Sequence, residues 1–108
     1  MKNSVLKASL LILVLALVVP GYVMAADSGA QLFASKCAMC HGKAGAANTP
    51  MAKNMKIKPF NSDDVQKQQD TELKITIEKG KGKMPAYGTK LSSTQIDDLV
   101  KYIRSLKK

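Results

Sequence analysis

The first quarter of the chain has a hydropathy pattern of its own. A short basic start, residues 1–7, precedes an uninterrupted apolar run over residues 10–19, which Pro20 and Gly21 end. This order, followed by small or short residues up to Ala25, is typical of a secretory signal peptide. An uncleaved anchor is the alternative, but the run is shorter than the ~20 residues that a membrane-spanning helix needs. We therefore predict a signal peptide over residues 1–25, cleaved after Ala25, and one domain over residues 26–108.

In the rest of the chain, apolar positions recur with helical spacing. The pattern predicts an all-α domain of about four to five helices. We expect these helices to begin near Ser28, Thr49, Ser62, Asp70 or Thr71, and Ser92.

The last two predicted helices differ in how clearly the pattern defines them. Ser92 and Gln95 have the spacing of a capping box, and the helix that follows carries one apolar stripe. The stripe consists of Ile96, Leu99, Val100, Ile103 and Leu106. Before it, Leu73, Ile75 and Ile77 alternate as they would in a strand, but the flanking charges and Gly80 favour a helix.

Composition then limits what such a domain can be. Removing the signal peptide leaves 83 of the 108 residues, with four aromatic residues and no tryptophan. That length excludes a (β/α)8 barrel, a dinucleotide-binding sheet and a two-domain enzyme. An exported domain with so little core material usually needs a disulfide, a metal or a cofactor.

The only two cysteines and the only histidine form one motif, Cys37-Ala38-Met39-Cys40-His41. A structural zinc site would need a second pair of ligands, and a thioredoxin-like redox pair would need a βαβ context. In an exported protein this motif is the attachment signal for a c-type haem. We predict thioether bonds from Cys37 and Cys40, and His41 as the proximal iron ligand.

The sixth iron ligand must come from elsewhere in the chain. Met84 stands in Gly80-Lys-Gly-Lys-Met-Pro85, where glycines and a proline favour a non-helical loop. We expect Met84 to be the distal ligand, and Met51 and Met55 remain as alternatives. Phe60 and Tyr87 are candidates for aromatic residues that pack on the haem.

With the motif and the methionine loop in place, the chain resembles the small bacterial class I cytochromes c. Gly29-x-x-x-Phe33 and Leu99-x-x-Tyr102 resemble the family's N-terminal and C-terminal helix contacts. The resemblance implies a class I fold wrapped around one covalently attached haem, and a Pro50 carbonyl that accepts a hydrogen bond from His41. It also implies a periplasmic one-electron carrier rather than an enzyme. A ligand-binding or sensing haem protein with an open sixth position is the alternative.

The net charge of +9 adds an expectation about partners. Lysines cluster near the predicted ligands, at positions 36, 43, 79, 81, 83 and 90. Positive charge at a haem edge would steer redox proteins with acidic docking surfaces. Export and the lack of a recognisable nucleic-acid-recognition motif argue against nucleic-acid binding. We expect a monomer without stable membrane insertion after the signal is removed.

Overall fold

A computed structural model describes residues 28–108, so the predicted signal peptide lies outside the described residues. Residues 28–108 contain six α-helices and one 3-10 turn, Lys43–Gly45. The helices are α1 (Ser28–Lys36), α2 (Ala38–His41), α3 (Pro50–Asn54), α4 (Asp63–Gln66), α5 (Asp70–Lys79) and α6 (Ser93–Ser105). In this part of the chain the β-type pairing is one isolated bridge, Lys81–Met84. The all-α prediction is confirmed, with the single-turn helix α2 as an unpredicted addition.

The helices begin where the sequence pattern predicts, but the capping groups at α4 and α5 differ from the predicted ones. At α6 the predicted capping box forms: Gln95 N–H donates to Ser92 Oγ, and Ser92 N–H donates to Gln95 Oε1 at 2.9 Å. At α5 the cap is Gln69, whose N–H donates to Glu72 Oε2 at 2.7 Å. Ser62 precedes α4 as predicted, yet its hydroxyl donates to the Pro59 carbonyl and caps nothing.

The segment with strand-like alternation of apolar residues forms helix α5, as predicted. Leu73 and Ile77 are buried, whereas Ile75 is 50% exposed. Residues four apart share a face of a helix, and residues two apart do not. Only two of the three predicted apolar positions therefore belong to the core.

The core forms where α1 and α5 pack against α6. Phe33 of α1 meets the buried stripe of α6, and Leu73 and Ile77 of α5 complete it. Gly29 allows α1 to approach closely, because a Cβ there would overlap with the Asp98 carbonyl of α6. None of the helices within residues 28–108 is long and apolar enough to cross a membrane.

A polar network ties the segment around α4 to α6. Arg104 donates to Asp70 Oδ1 at 2.8 Å, to the Gln66 carbonyl at 2.9 Å and to the Gln68 carbonyl. The Gln66 amide donates in turn to the carbonyls of Phe60 and Ile103. These bonds fix Phe60, which lies before α4, relative to the core.

The close helix crossing predicts a sensitive position. Gly29→Ala should lower the free energy of unfolding by about 1–3 kcal/mol, because α1 or α6 must shift to accept the methyl group. Denaturant unfolding of the haem-loaded protein measures this change. Ala34→Ser, at an exposed position of α1, is the control and should change it by less than about 0.5 kcal/mol. Equal effects of the two substitutions would contradict the crossing geometry.

Candidate haem-binding site

One cleft brings the two predicted ligand segments together. Its volume is about 550 Å³, within the range of ligand pockets. Cys37, Cys40 and His41 line one wall, and the loop that carries Met84 lines the other. Residues separated by 43 positions in sequence therefore share a single cavity.

The attachment wall follows directly from helix geometry. Cys37 caps α2, and its N–H donates to the Phe33 carbonyl at 2.9 Å, so α2 continues from α1. Positions 37, 40 and 41 have the i, i+3, i+4 spacing of one helical face, and all three line the cleft. Met39 is 80% exposed and does not line it. The motif thus presents two thiols and an imidazole to one cavity.

Burial controls the protonation of these groups. It lowers the pKa of His41, which keeps the imidazole neutral and able to bind a metal at neutral pH. Burial also raises the pKa of the Cys37 thiol, while the charge of Lys36 opposes the increase and Cys40 adds to it. The two cysteines form no disulfide with each other, and both are half-buried.

The surroundings of His41 correct the expectation for Pro50. The buried Nδ1 atom of His41 has no hydrogen-bond partner, so the predicted bond to the Pro50 carbonyl is not formed. Pro50 is the first residue of α3, with Thr49 as its N-cap, and it does not line the cleft. A carbonyl in that position points along the helix axis. Instead, Thr49 Oγ1 donates to the Cys40 carbonyl at 3.0 Å and connects α3 to α2.

Phe60 packs against the imidazole and does not line the cleft. Its ring is 4.8 Å from that of His41 between centroids and 5.4 Å from that of Phe33. It is buried and lines a small second cavity that shares Cys37, His41 and Tyr87 with the cleft. A Cβ at Gly45 would overlap with the Phe60 ring, so this glycine allows the 3-10 turn to pass close to it. Phe60 therefore packs against the predicted ligand His41, and its contact with the haem stays a prediction.

The methionine wall is a tight loop that depends on two glycines at positive φ, Gly80 before it and Gly82 within it. Lys81 and Met84 exchange backbone hydrogen bonds of 3.2 and 3.0 Å around Gly82. Gly80, which ends α5, has φ +72°, and a Cβ there would overlap with the Met84 carbonyl. Met84 is half-buried and packs against the core.

The two alternative methionines differ in whether they line the cleft. Met55 is half-buried and lines the cleft, so it stays available as a ligand. Met51 is 40% exposed and does not line it, and its sulfur lies 3.2 Å from the Cys40 sulfur.

Tyr87 connects the two walls, as a candidate pocket residue should. It lines the cleft, and its hydroxyl donates to the Lys36 carbonyl at 3.2 Å. Burial raises the pKa of this phenol, an effect to which Cys37 and Cys40 add, so it remains a donor at neutral pH.

Sequence reasoning missed Asn54, Ile57 and Thr76, which complete the lining. For Thr76 a signal existed, since it lies three positions after Leu73 and therefore on a neighbouring part of the α5 surface.

Charges are distributed unevenly around the cleft. Lys36, Lys81 and Lys83 are exposed and line it, and the lining contains no acidic residue. Three acidic residues instead pair elsewhere: Asp64 with Lys58, Asp97 with Lys74 and Asp70 with Arg104. The cleft mouth therefore carries positive charge without local compensation.

These groups fit a thioether-bound haem. The cavity joins two thiols, a neutral imidazole and a methionine sulfur, the donor set of a c-type haem protein. The chain belongs to the cytochrome c family: residues 24–103 match the family described as cytochrome c oxidase, cbb3-type, subunit III. It is a small class I cytochrome c, which makes it an electron-transfer protein with covalently bound haem c.

The individual relatives agree with this family. Cytochrome c6 from Bryopsis maxima is 38% identical over 71% of this chain and 86% of its own length. Cytochrome c6 from Gloeothece citriformis is 32% identical over 78% of this chain and 74% of its own. The cbb3-type cytochrome c oxidase subunit FixP from Azorhizobium caulinodans is 38% identical over 81% of this chain. The chain spans only 29% of the length of FixP.

A solved structure supports the fold assignment. The KustC0563 c-type cytochrome superposes with a TM-score of 0.68 at 27% identity. The match covers 74% of this chain and 98% of the other. The cleft described above thus lies in a fold already known to belong to a c-type cytochrome.

The methionine loop predicts a difference between two glycines. Gly80→Ala and Gly82→Ala both place a side chain at positive φ, which costs about 1–2 kcal/mol. Only the Gly80 substitution also collides with the loop, because nothing lies within 4 Å of a Cβ at Gly82. Gly80→Ala should therefore lower the free energy of unfolding by about 1–3 kcal/mol more than Gly82→Ala. Denaturant unfolding of both variants measures the difference, and equal values would argue against the loop conformation.

Proposed function

We propose that this cytochrome is a periplasmic one-electron carrier with a single haem c, which has His41 and Met84 as axial ligands. The observation that carries the proposal is the one cleft into which both ligand segments open. The predicted cleavable signal peptide supports export, and the lysine-rich cleft mouth supports docking to acidic redox proteins.

Each residue has a distinct task in this proposal. Cys37 and Cys40 tie the porphyrin edge to α2, and His41 Nε2 binds the iron. The bound haem supplies a reversible one-electron change, and methionine ligation raises its potential. Met84 fills the remaining position. Water and small ligands are therefore excluded from the iron, and no open position is left for bond-forming catalysis. Phe60, whose ring is part of the core, packs against the imidazole and limits its movement.

Substituting the methionines tests the ligation. Met84→Ala should abolish the charge-transfer band of methionine-bound ferric iron and allow the reduced protein to bind carbon monoxide rapidly. Met55→Ala is the matched control, because Met55 lines the same cleft, and it should keep the band and resist carbon monoxide. Visible spectroscopy of both variants measures the outcome.

Three results would change the proposal. Loss of the band in Met55→Ala alone would make Met55 the ligand. Rapid, complete binding of carbon monoxide by the unmodified protein would favour the alternative, a sensing or ligand-binding haem protein. Failure to retain haem after acid–acetone extraction would contradict covalent attachment through Cys37 and Cys40.

The positive cleft mouth predicts a charge-dependent reaction rate. Oxidation by the anion ferricyanide should slow as ionic strength rises, whereas oxidation by the cation tris(phenanthroline)cobalt(III) should accelerate. Lys81→Glu with Lys83→Glu should lower the ferricyanide rate at low salt by about tenfold and reverse both trends. Stopped-flow spectroscopy measures these rates.

A matched control separates location from net charge. Lys101→Glu with Lys107→Glu changes the net charge equally but at exposed positions that do not line the cleft. This variant should change the ferricyanide rate by less than about threefold. Equal effects of the two variants would show that net charge, and not the cleft mouth, controls the reaction.

A further inference from the structure

Tyr87 makes a hydrogen bond whose position in the fold is unusual. Its hydroxyl donates to the carbonyl of Lys36, the residue before Cys37, across 51 positions of sequence. Among the hydrogen bonds of residues 28–108, this is the one that joins the methionine loop, residues 81–87, to the attachment segment, residues 36–41. The two walls of the cleft are therefore bonded to each other through a single side chain.

The loop has little else to hold it against the attachment segment. Five of its residues are exposed, namely Lys81, Gly82, Lys83, Pro85 and Ala86. Its backbone is hydrogen-bonded within the loop, through Tyr87 N–H to the Ile77 carbonyl near the end of α5, and through the Tyr87 carbonyl to the N–H groups of Lys90 and Leu91. Those bonds anchor the base of the loop near α5, but they do not cross the cleft.

The Tyr87 ring is held on both sides. Toward the interior it lines the second cavity together with Ile77 and Leu99. Toward solvent, Lys90 Nζ lies 5.6 Å from the ring centroid, within cation–π distance. A ring fixed in this way can hold its hydroxyl at the Lys36 carbonyl with little further loss of side-chain entropy.

We propose that Tyr87 is a positioning residue that clasps the methionine loop to the attachment segment and so keeps Met84 on the iron. The inference rests on the proposed His41 and Met84 ligation. For Met84 to leave the cleft, the loop must swing away from residues 36–41, and Tyr87 is only three residues further along. Opening the loop therefore breaks the bond to Lys36, and the bond resists opening.

The test removes the hydroxyl and keeps the ring. In haem-loaded Tyr87→Phe, imidazole should displace the methionine from ferric iron with an apparent affinity about fivefold higher than in the unmodified protein. That factor corresponds to about 1 kcal/mol for one hydrogen bond. Loss of the methionine charge-transfer band during an imidazole titration gives the affinity. At saturating imidazole the displacement rate should rise by a similar factor.

Tyr102→Phe is the matched control, since it removes a hydroxyl from the other described tyrosine, whose ring packs on Phe33 of α1. It should leave the imidazole affinity unchanged. An unchanged affinity in Tyr87→Phe, or an equal increase in Tyr102→Phe, would overturn the clasp. Both of those outcomes presuppose the methionine band in the unmodified protein. Absence of that band, or its persistence in Met84→Ala, would instead refute the ligation on which the inference rests.

Discussion

The packing of Phe33 is the interaction on which the rest of this structure depends. Its ring lies 5.2 Å from Tyr102 on α6 and 5.4 Å from Phe60, and 6.3 Å from His41. A chain with four aromatic residues in its folded domain places three of them around this point. The helix crossing and the packing around His41 therefore share the same ring, so a displacement of α1 also displaces the imidazole.

The polar network around Arg104 extends this packing to the segment that carries Phe60. The Gln66 amide holds the carbonyls of Phe60 and Ile103 together, and Arg104 holds the Gln66 carbonyl. Because these donors are satisfied by backbone acceptors, the irregular stretch before α4 is fixed to α6 without a strand or a disulfide. This explains how so small a domain keeps a rigid wall behind its haem site.

Sequence reasoning could predict the features that depend on local order. The attachment motif, the methionine loop and the start of α6 each follow from spacing within a few residues, and the structure places them as expected. Pro50 shows where such reasoning ends, because its predicted role depends on the direction of one carbonyl. That direction is not determined by its neighbours in sequence. The exposure of Ile75 likewise depends on which face of α5 meets α6.

The two walls of the cleft also differ in how firmly they are held, and this difference has a functional consequence. The attachment wall continues from α1, so its position is set by the core. The methionine wall is an exposed loop that bends at Gly80 and Gly82 and is bonded to the opposite wall through Tyr87 alone among the described residues. Local opening is cheapest where few buried contacts are lost. In the proposed ligation, Met84 is therefore the ligand that the protein could release without disturbing its core, whereas release of His41 would require α1 and α2 to move.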